Sequence, residues 1–219
     1  DNFINSMWYD CKIYNSLNTS LPLSLFKPIE IKTQNIKLFY IGSNWHLIGN
    51  DNNNSRYNTN ILLKKLESYR YINIYGPTRL KNIIPWQGFK SYKGEIPFDG
   101  ISVIDKIKES GICLVLSSLE HIKSSICSMR IFEGIAAGVP IICDKNPFFI
   151  KWFGDNVFYI DGDNVDDNII SIISHIKYIK EHTETVYEKI INCRNIFKKH
   201  FSFDIQLGKL INELRNEKI

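Results

Sequence analysis

The sequence is poor in features that staple, span or coat. Its five cysteines, Cys11, Cys113, Cys127, Cys143 and Cys193, are odd in number and include no CxxC pair and no Cys/His cluster at zinc spacing. That excludes a disulfide framework or a structural zinc as the organising device. Three of them lie in apolar segments, where a free thiol behaves as a small hydrophobe. No apolar run approaches the roughly 20 residues needed to cross a bilayer, and no secretory leader is visible. Neither sign of charge dominates: 27 Lys and Arg against 23 Asp and Glu leave a formal charge of +4. No long basic run of the kind that lines a nucleic-acid groove is present. The composition therefore predicts a reduced, cytoplasmic chain with no nucleic-acid partner and no metal. Its slight positive charge suits a small anionic ligand or an acidic membrane surface, so peripheral association with the inner face of a membrane is a further expectation. The chain begins at Asp1, and a missing N-terminal domain is expected as well.

What is present is a globular composition, 44% hydrophobic and 13% aromatic over 219 residues. Residues 1–35 contain Pro22 and Pro28 in a turn-rich stretch, which speaks for a linker or incoming arm. Short apolar, β-branched runs predict strands at 35–42, 71–76, around Tyr92, and at 112–118, 139–143 and 156–161. Between and after them, helical spacing appears at 56–70, 101–109, 129–137, 169–180, 184–199 and 205–217. Near-continuously apolar strands alternating with amphipathic helices predict an α/β, doubly wound parallel sheet over residues 36–219, with helices appended at the C-terminus. Ligands of such sheets sit beyond the C-terminal strand ends. That singles out the loops after Ile41, Tyr75, Tyr92, Ser118 and Cys143.

Two of those loops carry candidates. "GSNWH", Gly42 to His46, places a glycine and two short polar donors, Ser43 and Asn44, at a strand end, where backbone N–H groups can approach an anion. A plain tight turn explains the same residues. A lone His such as His46 is more often a surface or packing residue than a base, and Trp45 and Trp86 are more often packing residues than stacking platforms. The second candidate is "SMRIFEGIAAGVPIICD", residues 128–144. Arg130 and Glu133 are helical neighbours at i and i+3, and Gly134 and Ala137 are expected to leave open space beside them. A carboxylate there could accept from two vicinal hydroxyls and an arginine could grip a phosphate in a fork; a solvated ion pair is the alternative. Gly138 is expected to end the helix.

Taken in order, "YIGSNWH", "SYKGEIPFDGISVIDKIKESGICLVLSS", "RIFEGIAAGVPII" and "DNVFYIDGDNVDDNIISII" resemble the C-terminal, nucleotide-sugar-binding domain of GT-B fold glycosyltransferases, in a divergent bacterial branch. "RIFEGIAAGVPII" is similar to that family's Glu-x-x-Ala-x-Gly-x-Pro segment. The resemblance implies transfer of a sugar from a nucleoside-diphosphate-sugar donor to a saccharide or glycoconjugate acceptor, in bacterial surface polysaccharide or glycoconjugate synthesis. It implies no cofactor beyond the donor substrate and no metal. Residues 1–35 would then be a remnant of an N-terminal acceptor domain. Glu133 matches the glutamate that binds ribose hydroxyls, and Arg130 becomes a diphosphate or sugar contact; these two are the catalytic candidates. Gly42, Ser43 and Asn44, with His46, fall at the diphosphate or donor sugar. Tyr92, Lys93 and Gly94 frame the base, Ser118 and His121 lie at the sugar end, and Ser128 opens the helix whose N-terminus faces the charge. Ser125 stands where many retaining members have a second glutamate, with Glu120 the nearest acid upstream. The family's Arg/Lys pair after the first strand is missing unless Arg56 or His46 takes its place. Alternatives are a sugar-nucleotide epimerase of the same fold, a non-catalytic scaffold half, and a nicotinamide-binding Rossmann protein, which the glycine spacing of "GSNWHLIG" disfavours.

Overall fold

The computed structural model describes residues 19–44, 46, 54–160, 162 and 164–216, and for 54–57 the backbone only. Five strands form one sheet: β1 (Lys37–Ile41), β2 (Ile72–Tyr75), β3 (Gly111–Val115), β4 (Ile141–Cys143) and β5 (Phe158–Tyr159). Their order is β2-β1-β3-β4-β5 and every pairing is parallel. The helices among the described residues are α1 (Asn54–Ser68), α2 (Ser102–Ser110), α3 (Leu119–Lys123), α4 (Met129–Ala137), α5 (Pro147–Phe153), α6 (Val165–Glu181), α7 (Thr183–His200) and α8 (Phe203–Asn216). This is the predicted doubly wound α/β sheet. None of these helices is long and apolar enough to cross a membrane.

The alternation of side chains along the strands builds two cores. Leu38, Ile112, Leu114 and Ile142 pack with Leu62, Leu63 and Leu66 of α1 and Ile169, Ile172 and Ile176 of α6. Phe39, Cys113, Val115 and Cys143 pack with Ile104 and Ile107 of α2, Ile131, Phe132 and Ile135 of α4, and Phe197 of α7. Each fully buried aliphatic side chain contributes about 1.5–3 kcal/mol, so the strands are held by both faces despite their shortness. The four described cysteines are free. Burial pushes the Cys127 and Cys193 thiols up to about 12, which leaves them unreactive at neutral pH.

Helix ends follow local chemistry. Ser128 Oγ accepts from Arg130 N to cap α4, and Asn164 Oδ1 accepts from Asp166 N and Asp167 N to cap α6. Gly138, at φ 72°, closes α4 by donating its N–H to Gly134 and Ile135 carbonyls. The last carbonyls of α4 meet Arg194 of α7, which donates from Nε to Ile135 O at 3.2 Å and from Nη2 to Ala136 O at 3.3 Å. The same Nη2 bonds Lys27 O in the incoming arm. A side chain on Gly138 would place Cβ 2.5 Å from that Nη2. Residues 1–18 of the expected linker lie outside the described residues. The rest is fastened to the domain: Leu21 bridges Ser202 and is buried, and Lys27 N donates to Ala136 O.

Several expectations need correction. No strand forms around Tyr92; it makes only an isolated bridge with Ile74. Gly88 and Gly94 adopt positive φ on either side, and Tyr92 N turns back to Phe89 O. The strand expected at 112–118 stops at Val115, because Ser117 N donates to the Asp144 carboxylate instead of to a neighbouring strand. The one at 156–161 keeps only Phe158–Tyr159, its start taken by a 3-10 turn at Gly154–Asn156. Two short helices, α3 and α5, were not expected.

Candidate functional site

In this strand order β1 has β2 on one side and β3 on the other, so the sheet reverses its winding between β1 and β3. A cleft of about 470 Å³ opens there, at the carboxyl ends of both strands, where a doubly wound sheet binds ligands.

One wall is the loop after β1. Gly42 N donates to Tyr75 O at 3.1 Å and Gly42 O accepts from Trp86 Nε1 at 3.2 Å. Gly76 lies so close that an added Cβ would overlap Gly42 O and come within 2.6 Å of Trp86 Nε1. Tyr92 OH donates to Gly76 O at 2.9 Å, and Gly76 N donates to Gly94 O at 3.2 Å. Gly42, Gly76, Trp86 and the 92–94 segment thus form one knot beneath the cleft. Asn44 is 5% exposed; its Oδ1 accepts from Asn60 Nδ2 at 3.1 Å, and its own Nδ2 has no partner among the described residues. Tyr40 lines the same wall, its hydroxyl pushed up to about 12 by burial.

The opposite wall is built from two helix starts. Ser118 Oγ accepts from His121 N at 3.2 Å to cap α3, and Ser128 caps α4. The cleft brings together Gly42, Ser43, Asn44, His46, Ser118, His121 and Ser128. Trp45 lies outside the described residues, as does the side chain of Arg56. Trp86 is a packing residue, 3% exposed, with an added bond to the loop.

Arg130 and Glu133 pair with each other on α4 through Arg130 Nη1 and Glu133 Oε2, with side chains 27% and 15% exposed. They are not among the residues lining the cleft. Burial raises the Glu133 carboxyl above its ordinary value, against the pull of the Arg130 guanidinium. The space expected beside them is not there. Ala137 is fully buried, and a Cβ on Gly134 would come within 3.0 Å of Cys113 Cβ. Gly134 lets α4 sit close on β3 and β4, and Ala137 is taken up in the core. Lys93 faces away from the cleft too, into a groove at the β2 edge with Lys37, Lys64, Arg70 and Lys90. Ser125 adopts φ 52° in the turn after α3, with Ser125 N bonded to Ile122 O.

Sequence reasoning missed three residues here. Asn60 positions Asn44. Asn146, wholly buried, donates from Nδ2 to Ile126 O at 3.0 Å and to Ser117 Oγ at 3.3 Å, tying the β3–α4 connection to α5. Its Oδ1 caps α5 by accepting from Phe148 N; the Asn-Pro pair 146–147 was the available signal. Asp144 is the third. Its Oδ2 accepts from Ser117 N, and burial raises its carboxyl above the usual range. Among the described residues no three His, Cys, Asp or Glu side chains are grouped so as to hold a metal ion.

A family described as glycosyl transferase-like matches residues 56–210. Curated proteins give no match. Solved structures share the fold at low identity. Sucrose-phosphate synthase from Thermosynechococcus elongatus aligns at TM-score 0.59 and 11% identity over 91% of this chain and 52% of its own. An alpha-glucosyltransferase in complex with UDP-glucose and DNA containing an abasic site aligns at TM-score 0.65 and 10% identity, over 97% and 61%. S. aureus TarM, as a variant bound to Fondaparinux, alpha-GlcNAc-glycerol and UDP, aligns at 0.59 and 14%, over 96% and 41%. The chain thus spans about half the length of these structures.

Proposed function

The chain belongs to the glycosyl transferase-like family, and from that premise we propose that it binds a nucleoside-diphosphate sugar and takes part in moving the sugar to a saccharide or glycoconjugate acceptor. The observation that carries this is the cleft between β1 and β3, where the Gly42–Asn44 loop faces the N-termini of α3 and α4. Departure of the sugar breaks its C1–O bond and leaves negative charge on the diphosphate. Backbone N–H groups and helix N-termini aimed at that oxygen lower the barrier. In this reading the Gly42 loop, Asn44 Nδ2 and the Ser128 end of α4 meet the diphosphate; Arg130 and Glu133, paired with each other outside the cleft lining, would add positive charge and take the ribose hydroxyls only once that pair opens. His46, Ser118 and His121 lie toward the sugar, and Tyr92 and Gly94 toward the base, while Lys93, in the groove at the β2 edge, is left out of the site. The new C1–O bond forms to an acceptor hydroxyl whose proton goes to a base on a partner domain, the half of the enzyme that residues 1–35 would lead from. The donor serves without a resident cofactor. The setting proposed is bacterial surface polysaccharide or glycoconjugate synthesis, at the cytoplasmic face of the membrane, with no nucleic acid involved. The UDP-bound neighbours lend support to a uridine donor.

Thermal-shift measurement with UDP, GDP, ADP and CDP at 1 mM tests the reading. One diphosphate is expected to raise Tm by several degrees, since a ligand at about 100 times its Kd adds about 2.7 kcal/mol. No shift with any of the four, or a shift with NAD alone, would sink it.

A further inference from the structure

Beyond the cleft lies a second recess that the donor reading leaves unused. It encloses about 250 Å³ at the carboxyl ends of β3, β4 and β5, beside the start of α6, and shares Thr59, Leu116 and Ser117 with the cleft. Asp144 is the one charged group among its described lining residues; Ser117, Asn58, Asn164 and Asn168 supply neutral polar atoms. Asp144 Oδ2 is engaged by Ser117 N, and the Ser117 hydroxyl and Asn146 N–H lie near the carboxylate, but among the described residues no hydrogen bond reaches the buried Oδ1. An unpaired carboxylate oxygen in a confined space is costly, and its natural complement is a hydroxyl or N–H brought by a ligand.

The other features of the recess narrow the ligand. No Lys or Arg is among its described lining residues, so the Asp144 carboxylate would repel a phosphate or a second carboxylate. The N-terminus of α6, which would otherwise favour an anion, is already met by the Asn164 cap and by Asp166 and Asp167 in its first turn. Among its described lining residues there is no aromatic ring to stack a base. What remains is an uncharged ligand rich in hydroxyl groups. The shared wall at Ser117 adds a geometric reason: one molecule can place its anionic part in the cleft and its hydroxyl-bearing part in the recess.

We propose that this recess is a saccharide subsite in which Asp144 accepts hydrogen bonds from sugar hydroxyls. The assignment rests on the donor reading above for which sugar is held: the one on the nucleoside diphosphate, or the terminal sugar of the acceptor. Both present the same chemistry, and the experiment separates them.

The test is calorimetric titration of the full chain and of Asp144→Asn with UDP, UDP-glucose, UDP-N-acetylglucosamine, GDP, GDP-mannose and methyl α-glucoside. Asparagine keeps an acceptor for Ser117 N and removes the buried charge, so Tm at pH 7.5 is expected to hold or rise. Affinity for the free diphosphate should stay within twofold, and affinity for its sugar ester should fall about tenfold or more, as for loss of a charge-assisted bond. If the sugar is the acceptor's, the ester is unaffected and methyl α-glucoside binding to the nucleotide-saturated chain falls instead. Asn58→Trp, which narrows the recess from exposed α1 without touching Asp144, should reproduce the loss and serves if Asp144→Asn lowers Tm. Equal weakening of diphosphate and sugar ester in both variants, or no change in any sugar ligand, overturns the proposal. Absence of all nucleotide binding, with methyl α-glucoside binding that Asp144→Asn abolishes, would refute the donor reading and leave the subsite standing.

Discussion

Replacing Gly76 with alanine is expected to cost the domain about 3 kcal/mol or more, a Tm drop of about 6–12 °C at this chain length. The added methyl would overlap the Gly42 carbonyl oxygen and crowd Trp86 Nε1, both already joined by a hydrogen bond, on a backbone at φ 154°. Relief requires the β1 and β2 loops to part, and that breaks the floor of the cleft. Nucleotide binding should therefore fall further than stability alone accounts for. Gly88 is the control. It also has positive φ, 83°, but nothing stands within 4 Å of its added Cβ, so Gly88→Ala should cost only about 1 kcal/mol. Equal losses in the two variants would show that backbone strain, and not the close approach, is what Gly76 relieves.

Arg130→Ala should have the second largest effect, and its pH dependence separates the pair's structural role from its ligand role. Glu133 is 15% exposed and already raised by burial; removing the guanidinium removes the charge and the hydrogen bond that oppose that rise. A carboxyl whose folded-state value is raised favours the fold while protonated and loses that contribution as pH climbs through the folded-state value. The deficit of Arg130→Ala relative to wild type should thus be small near pH 4.5 and grow to about 2 kcal/mol at pH 7.5, below the roughly 3–5 kcal/mol for breaking a fully buried pair because this one is partly exposed. Urea unfolding at both pH values measures it, and a deficit independent of pH would count against an unpaired Glu133 as its source. Arg130→Met with Glu133→Leu should recover most of that stability, because an apolar pair of similar volume avoids the desolvation cost. It should not recover nucleotide affinity, which we expect to be down about 100-fold through loss of charge-assisted bonds. Full affinity in the double variant would make the pair a strut and nothing more.

The elements that were legible in the sequence are those with unbroken local pattern. β1 and β3 are short, near-continuous apolar runs, β3 buried at every position, and α4 carries helical spacing with six of its nine residues buried. Tyr92 was overread, because its apolar neighbours look like a strand until the flanking glycines turn the chain. α3 and α5 are five and seven residues long, too short for periodicity, and only their caps at Ser118 and Asn146 announce them. Within the site, the strand-end rule found the cleft, since it depends on topology alone. Gly134 and Ala137 were assigned to the wrong side: smallness permits close approach, but a sequence does not say whether a ligand or a strand approaches. Asp144 shows the opposite limit. The strand-end rule marks the loop after Cys143 but not the residue, and the meaning of Asp144 comes from Ser117, 27 positions earlier.

The fastening of Arg194 bears on where this domain can be cut. Its guanidinium joins the arm at Lys27, the end of α4 and helix α7, and a boundary drawn at residue 36 would cut the first of these from the other two. A fragment begun there loses the Lys27 carbonyl that Arg194 binds and the Leu21–Ser202 bridge, and uncovers the carboxyl end of the helix that bears Arg130 and Glu133. Grafting this domain onto another chain, or exchanging it between related chains, should therefore carry the segment from about residue 19 with it. The seam for such chimaeras lies upstream of the sheet, in the arm, where the first strand gives no hint of it.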